Sequence, residues 1–211
     1  MSEQRKPVAL IIGMGRGLSA ALAMRFAQGG FAIAGFARNP DASAELAATM
    51  AERGHQVVLR AVDASDAGSL TQAIAAIEAE LGPVEVLIYN AYRATIGLPS
   101  EVPVDQVVED FRVNVAGALA AIHAVLPGMR QRGKGSILLT GGGLALDPTG
   151  WLPAASLARF GFGIISSVAR RRKQAHPPKT SRIRRCRTKP RRDARLQAKP
   201  QHPPPPCLLP Q

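Results

Sequence analysis

The chain has 211 residues, 46% of them hydrophobic, and its formal net charge of +12 is concentrated in residues 170–211. That segment holds 14 of the 27 Lys and Arg with one acid, Asp193, so residues 1–169 carry a net charge of −1 and suffice for one core. The first apolar run, Val8–Ile12, stops at Gly13 and is too short for a signal peptide or membrane span, so we expect neither secretion nor membrane association.

Short β-branched runs alternate with longer Ala/Leu-rich stretches of helical period. Strands are predicted at Val8–Ile12, Phe31–Phe36, Gln56–Ala61, Val84–Tyr89 and Ser136–Thr140. Helices are predicted over residues 17–28, 41–53, 67–81, 105–131 and 153–169, with Asp41 and Asp66 as N-caps. This alternation predicts an α/β fold with a Rossmann-type, doubly wound parallel sheet and right-handed crossovers.

A glycine-rich turn, with Gly13, Gly15 and Gly17, follows the first strand and opens the first helix. Glycine lets the backbone approach a pyrophosphate, whose charge then lies at the unpaired amides of the helix. The glycines could equally serve only a tight turn. The strand before them and the helix after them are the context that dinucleotide binding requires.

Charge at the end of the second strand bears on the choice of cofactor. An NAD site usually carries an acid there, whereas this chain has Arg38 and no acid between Phe31 and Pro40. Arg16 is predicted to supply a second cation beside the same pocket. The two arginines are either solvated surface charges or partners of a 2′-phosphate, and we predict a preference for NADP(H) over NAD(H).

Four motifs in order, over residues 7–165, resemble those of the short-chain dehydrogenase/reductase family. The T-G-x-x-x-G-x-G turn corresponds to residues 12–19, and the N-N-A-G motif reads Tyr89-Asn90-Ala91-Tyr92. Asp63 matches the Asp that contacts adenine, and Asn114 matches the Asn of the long helix. The resemblance implies a cofactor site made of Gly13, Gly15, Arg16, Gly17, Leu18, Arg38, Asp63, Ala64, Asn90 and Ala91.

The two asparagines have alternative roles. The resemblance implies that Asn90 stabilises the centre of the sheet and contacts the cofactor ribose. It also implies that Asn114 kinks its helix and holds a proton-relay water. Either residue could instead be a buried structural amide.

The resemblance also implies the reaction, a hydride transfer between nicotinamide and a carbonyl or alcohol. The family donates the proton from a tyrosine whose pKa a nearby lysine lowers, with a serine orienting the carbonyl. Alignment of the fifth strand places other residues at these positions: Gly142 for the serine, Ala155 for the tyrosine and Arg159 for the lysine. Asn114 is then the remaining catalytic residue. Tyr92 is the alternative proton donor, whereas Ser156 is an alcohol and too weak an acid without further activation. We expect an oxidoreductase at family level that is inactive as it stands, or an inert NADP(H)-binding module.

The sequence indicates neither a metal site nor a disulfide in residues 1–169. His55 and His123 have no second His, Cys or acid at ligand spacing, so we predict no metal site. Both cysteines, Cys186 and Cys207, lie in the basic segment, which leaves residues 1–169 without a disulfide. This is compatible with a reducing cytoplasm.

Residues 170–211 form a basic, Pro-rich tail with ten Arg, four Lys and nine Pro, but no Gly or aromatic residue. Such a composition cannot bury apolar surface, and we expect the tail to be disordered. Its charge would attract nucleic acid or another acidic surface. Because it offers no aromatic side chain for base stacking, nucleic-acid binding is the less favoured alternative.

The change in composition near residues 158–170 interrupts the predicted catalytic helix. We interpret it as a shift of reading frame in a GC-rich gene, which would leave the sheet incomplete at its C-terminal edge. The family's common dimer interface includes this helix, so we hold homo-oligomerisation open.

Overall fold

The structure is a computed structural model that describes residues 5–98 and 100–141. Its strands are β1 (Val8–Ile12), β2 (Ala32–Ala37), β3 (Val57–Ala61), β4 (Val84–Tyr89) and β5 (Ser136–Leu139). They form one parallel sheet in the order β3-β2-β1-β4-β5. The predicted Rossmann-type sheet is therefore confirmed. The predicted incomplete edge and the predicted tail lie outside the described residues.

The helices lie where the periodicity predicts them, with two local departures. They are α1 (Leu18–Gln28), α2 (Ala44–Glu52), α3 (Ala67–Leu81), α4 (Val104–Phe111) and α5 (Gly117–Gln131). A 3₁₀ turn, Pro40–Ser43, precedes α2. A π-helical turn, Arg112–Ala116, separates α4 from α5, so the single helix predicted over residues 105–131 is wrong in its middle. The helix predicted over residues 153–169 lies outside the described residues.

Asp41 is not the N-cap that the sequence predicts. Asn39 caps the 3₁₀ turn, and its side-chain oxygen accepts a 3.1 Å hydrogen bond from the Asp41 amide. Pro40 has a fixed φ and no N–H, which suits the first helical position, so the turn begins before Asp41. Asp66 caps α3 as predicted, accepting from the amides of Gly68 at 2.9 Å and Ser69 at 3.1 Å.

The ends of three strands, β2, β3 and β5, differ from prediction by one residue. Phe31, predicted to start β2, packs edge-to-face on Phe26 of α1, with ring centroids 5.3 Å apart. The strand runs from Ala32 to Ala37, one residue later at both ends than predicted. Gln56 and Thr140 likewise fall just outside β3 and β5.

Apolar layers cover both faces of the sheet. Every residue of β1 is buried, with Val8 and Leu10 in the layer that α3 and α5 complete and Ala9 and Ile11 in the layer of α1 and α2. Burial on both sides explains why this strand is an unbroken apolar run.

The stretch Val104–Gln131 is long and apolar enough, by length and composition alone, to cross a membrane. In this fold Ala118, Ile122 and Val125 belong to the core layer that α3 shares. That packing accounts for the apolar character of α5.

Candidate functional site

Three strands end level with one another at one edge of the sheet. Ile12 at the end of β1 pairs with Phe36 of β2 and with Tyr89 of β4. The segments that follow these strands therefore meet at the carboxyl edge. β2 and β3 lie on one side of β1, whereas β4 and β5 lie on the other. Open α/β sheets bind ligands at such a point, where the order of connection reverses.

A cleft of about 590 Å³ lies at this edge. Six residues of the predicted cofactor site line it: Gly13, Arg38, Asp63, Ala64, Asn90 and Ala91. A second cavity of about 300 Å³ adjoins it, and its lining includes Leu18, Asn114 and Thr140. Asn90, Ala91 and Tyr92 line both cavities. The fold thus brings eight predicted site residues to two adjoining spaces.

Gly13 is required where the turn passes β4. Its φ is +88°, and a Cβ at this position would lie 2.5 Å from the Cα of Ala91. The amides of Gly13 and Met14 both donate to the carbonyl of Phe36, at 2.9 and 2.8 Å. Gly13 therefore packs the turn against two neighbouring strands, and a side chain would push β4 away.

Gly15 and Gly17 have a different setting. No described atom lies within 4 Å of the Cβ that either residue would carry. Among the described side chains none caps α1, and the first turn of that helix has no acid. Open space beside uncapped amides is the cradle that a pyrophosphate would occupy.

Arg16 and Arg38 are both exposed, but they relate differently to the cleft. Arg38 lines it, whereas Arg16 is not among the described residues that line either cavity. Arg38 therefore lies at the cleft after β2, and its predicted contact with the ribose end of a cofactor stays a prediction. The prediction for Arg16 stays a prediction.

Asp63 lines the same cleft as Arg38. Its Oδ1 accepts hydrogen bonds from the amide and the hydroxyl of Ser65, both at 2.8 Å. These bonds, with a smaller contribution from the positive charge of Arg38, hold the pKa of Asp63 below its usual value. Asp63 is therefore a carboxylate near neutral pH, and two arginines, Arg38 and Arg93, line the same cleft.

Ser19 is a site residue that the sequence analysis missed. It is 1% exposed, its hydroxyl donates to the Gly13 carbonyl at 2.6 Å, and it accepts from Nδ2 of Asn90 at 2.6 Å. A polar residue on the stripe that also carries buried Ala23 and Ala27 was the signal that could have found it.

Asn114 lies in the middle of the π-helical turn, as the implied kink requires. Its Oδ1 accepts from the Arg93 amide at 3.0 Å, and its Nδ2 donates to the Arg93 carbonyl at 2.7 Å. Both ends of the carboxamide thus bind the main chain of Arg93. In this structure Asn114 fixes the segment that follows β4.

Tyr89, which stands at the first Asn of the family motif, is fully buried. Its hydroxyl donates to the carbonyl of Val113 in the π-helical turn. Gly117 leaves room for this contact, because a Cβ there would lie 2.5 Å from the phenol oxygen. Burial raises the pKa of Tyr89, so the phenol stays protonated near neutral pH and can donate this bond.

The remaining predicted residues are placed as follows. Gly142, Ala155, Ser156 and Arg159 lie outside the described residues. Tyr92 is 48% exposed and borders both cavities. Within residues 5–98 and 100–141, no three His, Cys, Asp or Glu side chains are grouped to hold a metal ion.

Comparison with protein-family models matches residues 7–175 to short chain dehydrogenase. The match covers most of the chain and extends a few residues past the boundary predicted at 169. The chain belongs to the short-chain dehydrogenase/reductase family.

Individual relatives agree with this assignment. Acetoacetyl-CoA reductase from Shinella zoogloeoides is 32% identical over 132 residues, which are 62% of this chain and 53% of that reductase. The chain thus spans about half the length of this relative.

Solved structures show the same fold. A metagenomic short-chain oxidoreductase in complex with NADP superposes with a TM-score of 0.75 at 22% identity, over 80% of this chain and 77% of that one. An NAD⁺-bound xylitol dehydrogenase has a TM-score of 0.72 at 21% identity, over 77% of this chain and 63% of that one.

Proposed function

We propose that this chain binds NADP(H) in preference to NAD(H), as an oxidoreductase-family domain. The associated reaction is hydride transfer between nicotinamide and the carbonyl or alcohol of a small molecule. The observation that carries the cofactor choice is Arg38, which lines the cleft at the end of β2 where an NAD site usually has an acid.

The residues fit the parts of such a nucleotide. The open space at Gly15 and Gly17 suits a pyrophosphate at the start of α1. Asp63 and Ala64 line the part of the cleft that the family resemblance gives to adenine. Arg38 would bind the 2′-phosphate through charge-assisted hydrogen bonds, which a guanidinium forms in a bidentate geometry.

The fold by itself does not choose between the two cofactors. Similar structures contain NADP in one case and NAD⁺ in another. The choice must therefore come from this chain's own residues around the ribose.

Titration of the full chain with NADPH and with NADH tests the proposal. Loss of one charge-assisted phosphate contact costs on the order of 1.5–3 kcal/mol. Arg38→Asp should therefore weaken NADPH binding by roughly tenfold or more and spare NADH. Arg130→Asp, which makes the same charge change at an exposed site on α5, is the matched control. Equal losses for the two cofactors in Arg38→Asp would refute the assignment.

An inert NADP(H)-binding module is the second candidate. It is favoured by the residues at the proton-donor positions, Ala155 and Arg159. A positively charged arginine does not titrate near neutrality and would not replace the family's lysine in function. The proposals of cytoplasmic location and of a tail-driven alternative rest on sequence composition alone.

A further inference from the structure

Asp110 is a charged residue with no exposed surface, on the inner side of α4. Each hydrogen bond described for its carboxylate comes from residues 93–95. Oδ2 accepts from the Thr95 amide at 2.7 Å, and Oδ1 accepts from the Thr95 hydroxyl at 3.2 Å. Oδ1 also forms an ion pair with Nη1 of Arg93.

A buried carboxylate is tolerated only when its charge is paired and its oxygens are hydrogen-bonded. Arg93, whose side chain is 36% exposed, provides the charge. Its Nη1 also donates to the carbonyl of Gln106 at 3.0 Å, one helical turn before Asp110. Two positions of α4 therefore hold the same guanidinium.

The main chain of Arg93 is held independently, by the side-chain amide of Asn114. Residues 93–95 are therefore bonded to α4 through the side chain of Arg93 and the amide and hydroxyl of Thr95. They are bonded to the π-helical turn through the main chain of Arg93. The segment leads directly from Tyr92, which borders both cavities, and Arg93 lines the larger cleft. Residues 90–93 form one wall of the cleft, and residues 90–92 of that wall also line the adjoining cavity.

We propose that Asp110 is a positioning residue for the cleft: through Arg93 and Thr95 it holds in place the wall that residues 90–93 form. This inference rests on the proposed nucleotide binding, since a displaced wall matters only if that cleft binds a ligand. Asp110 itself lines neither cavity among the described residues, so it acts on a ligand through the segment.

Amide hydrogen exchange on the full chain tests the holding role directly. The Arg93 amide donates to Asn114 and not to Asp110, so it reports whether the segment as a whole is held. In Asp110→Asn, which keeps the side chain's size but removes its charge, exchange at both Arg93 and Thr95 should accelerate by roughly tenfold or more. Acceleration at Thr95 alone would overturn the proposal, because Asp110 would then only satisfy one amide.

A second variant guards against misfolding of Asp110→Asn. Thr95→Val removes one hydrogen bond to Asp110 and keeps the backbone bond and the side chain's shape. It should accelerate exchange at Arg93 in the same direction by a smaller factor. Unchanged exchange at Arg93 in both variants would overturn the proposal.

NADPH titration of the same variants connects the segment to the cleft. Asp110→Asn should weaken NADPH binding by roughly fivefold or more, about 1 kcal/mol. Ile74→Val, a core substitution in α3, is the matched control, since it destabilises the fold without altering the wall. Unchanged NADPH affinity in a folded Asp110→Asn protein, despite faster exchange, would overturn the role in the cleft.

The two proposals fail separately. A full chain that binds neither NADPH nor NADH refutes the proposed function, and the exchange rate at Arg93 still decides whether Asp110 holds the segment.

Discussion

Asn90 and Ser19 are 71 residues apart in the sequence, and the amide of Asn90 donates a 2.6 Å hydrogen bond to the hydroxyl of Ser19. The Ser19 hydroxyl uses its own hydrogen on the carbonyl of Gly13. One buried hydroxyl thereby joins the end of β4, the start of α1 and the glycine-rich turn. This connection holds together the edge where the cleft lies.

Ser19→Ala should therefore destabilise the fold more than an ordinary serine substitution. It leaves the Nδ2 of Asn90 and the carbonyl of Gly13 without this partner, at a cost of about 1–3 kcal/mol in the free energy of unfolding. Each kcal/mol lowers Tm by roughly 2–4 °C in a chain of this size. Thermal unfolding measures the effect, and Ser136→Ala on the exposed part of β5 is the control. Identical Tm values for the two variants would contradict the role of Ser19.

Gly13 and Gly15 belong to one motif but should respond oppositely to alanine. Gly13→Ala forces a side chain into left-handed backbone and against β4, and should lower the free energy of unfolding by at least about 2 kcal/mol. Gly15→Ala has open space and should stay within about 0.5 kcal/mol of the parent protein. Its methyl group would instead occupy the proposed pyrophosphate cradle, so NADPH affinity should fall. Denaturant unfolding with nucleotide titration separates the two effects, and equal stability losses would refute the distinction.

Reductase activity should be very low in this chain. Ala155 and Arg159 stand where the family resemblance places the proton-donating tyrosine and its lysine, and general acid catalysis supplies roughly 10²–10⁴-fold. The measurement is NADPH oxidation with a panel of simple aldehydes and ketones. Steady turnover that Asn114→Ala abolishes would contradict this prediction, and Tyr92 and Ser156 would be the next residues to substitute.

The nucleotide sequence tests the interpretation of residues 170–211. Shifting the frame of GC-rich DNA tends to yield Arg- and Pro-rich, acid-poor sequence, and Arg and Pro make up 19 of these 42 residues. Translation of the other two frames from about codon 155 should give a helix containing lysine, a β-branched strand and a Pro-Gly loop. If neither frame encodes them, the basic segment has to be treated as functional.

Much of the fold could be read from local sequence. The bounds of β1 and β4 are as predicted, because both strands are largely buried and apolar and end abruptly at Gly13 and Asn90. The Asp66 cap was also predictable, since a cap bonds only to the next few amides. The Asp41 prediction was wrong because Pro40 moved the start of the turn by one residue.

The π-helical turn shows where periodicity stops being informative. The apolar residues of α4 and of α5 each keep a helical period, so periodicity predicts helix on both sides and does not locate the turn. The turn is bonded to distant segments: the hydroxyl of Tyr89 donates to the carbonyl of Val113 across 24 residues, and Asn114 bonds the main chain of Arg93. The family resemblance implied a kink at Asn114, but the residues alone did not show how it is held.

The sequence by itself determined the order of strands and helices, the glycine-rich turn and the absence of an acid at the end of β2, because apolar runs, glycines and charges are local properties. Only the tertiary structure decided that Gly13 packs while Gly15 stands open, that Ser19 joins Asn90, and that Asp110 holds Arg93. Each of these depends on which segments the sheet order β3-β2-β1-β4-β5 brings side by side. A buried polar group is hydrogen-bonded to whatever lies next to it in the fold, which can be far away in the sequence. Sequence alone therefore does not identify these partners.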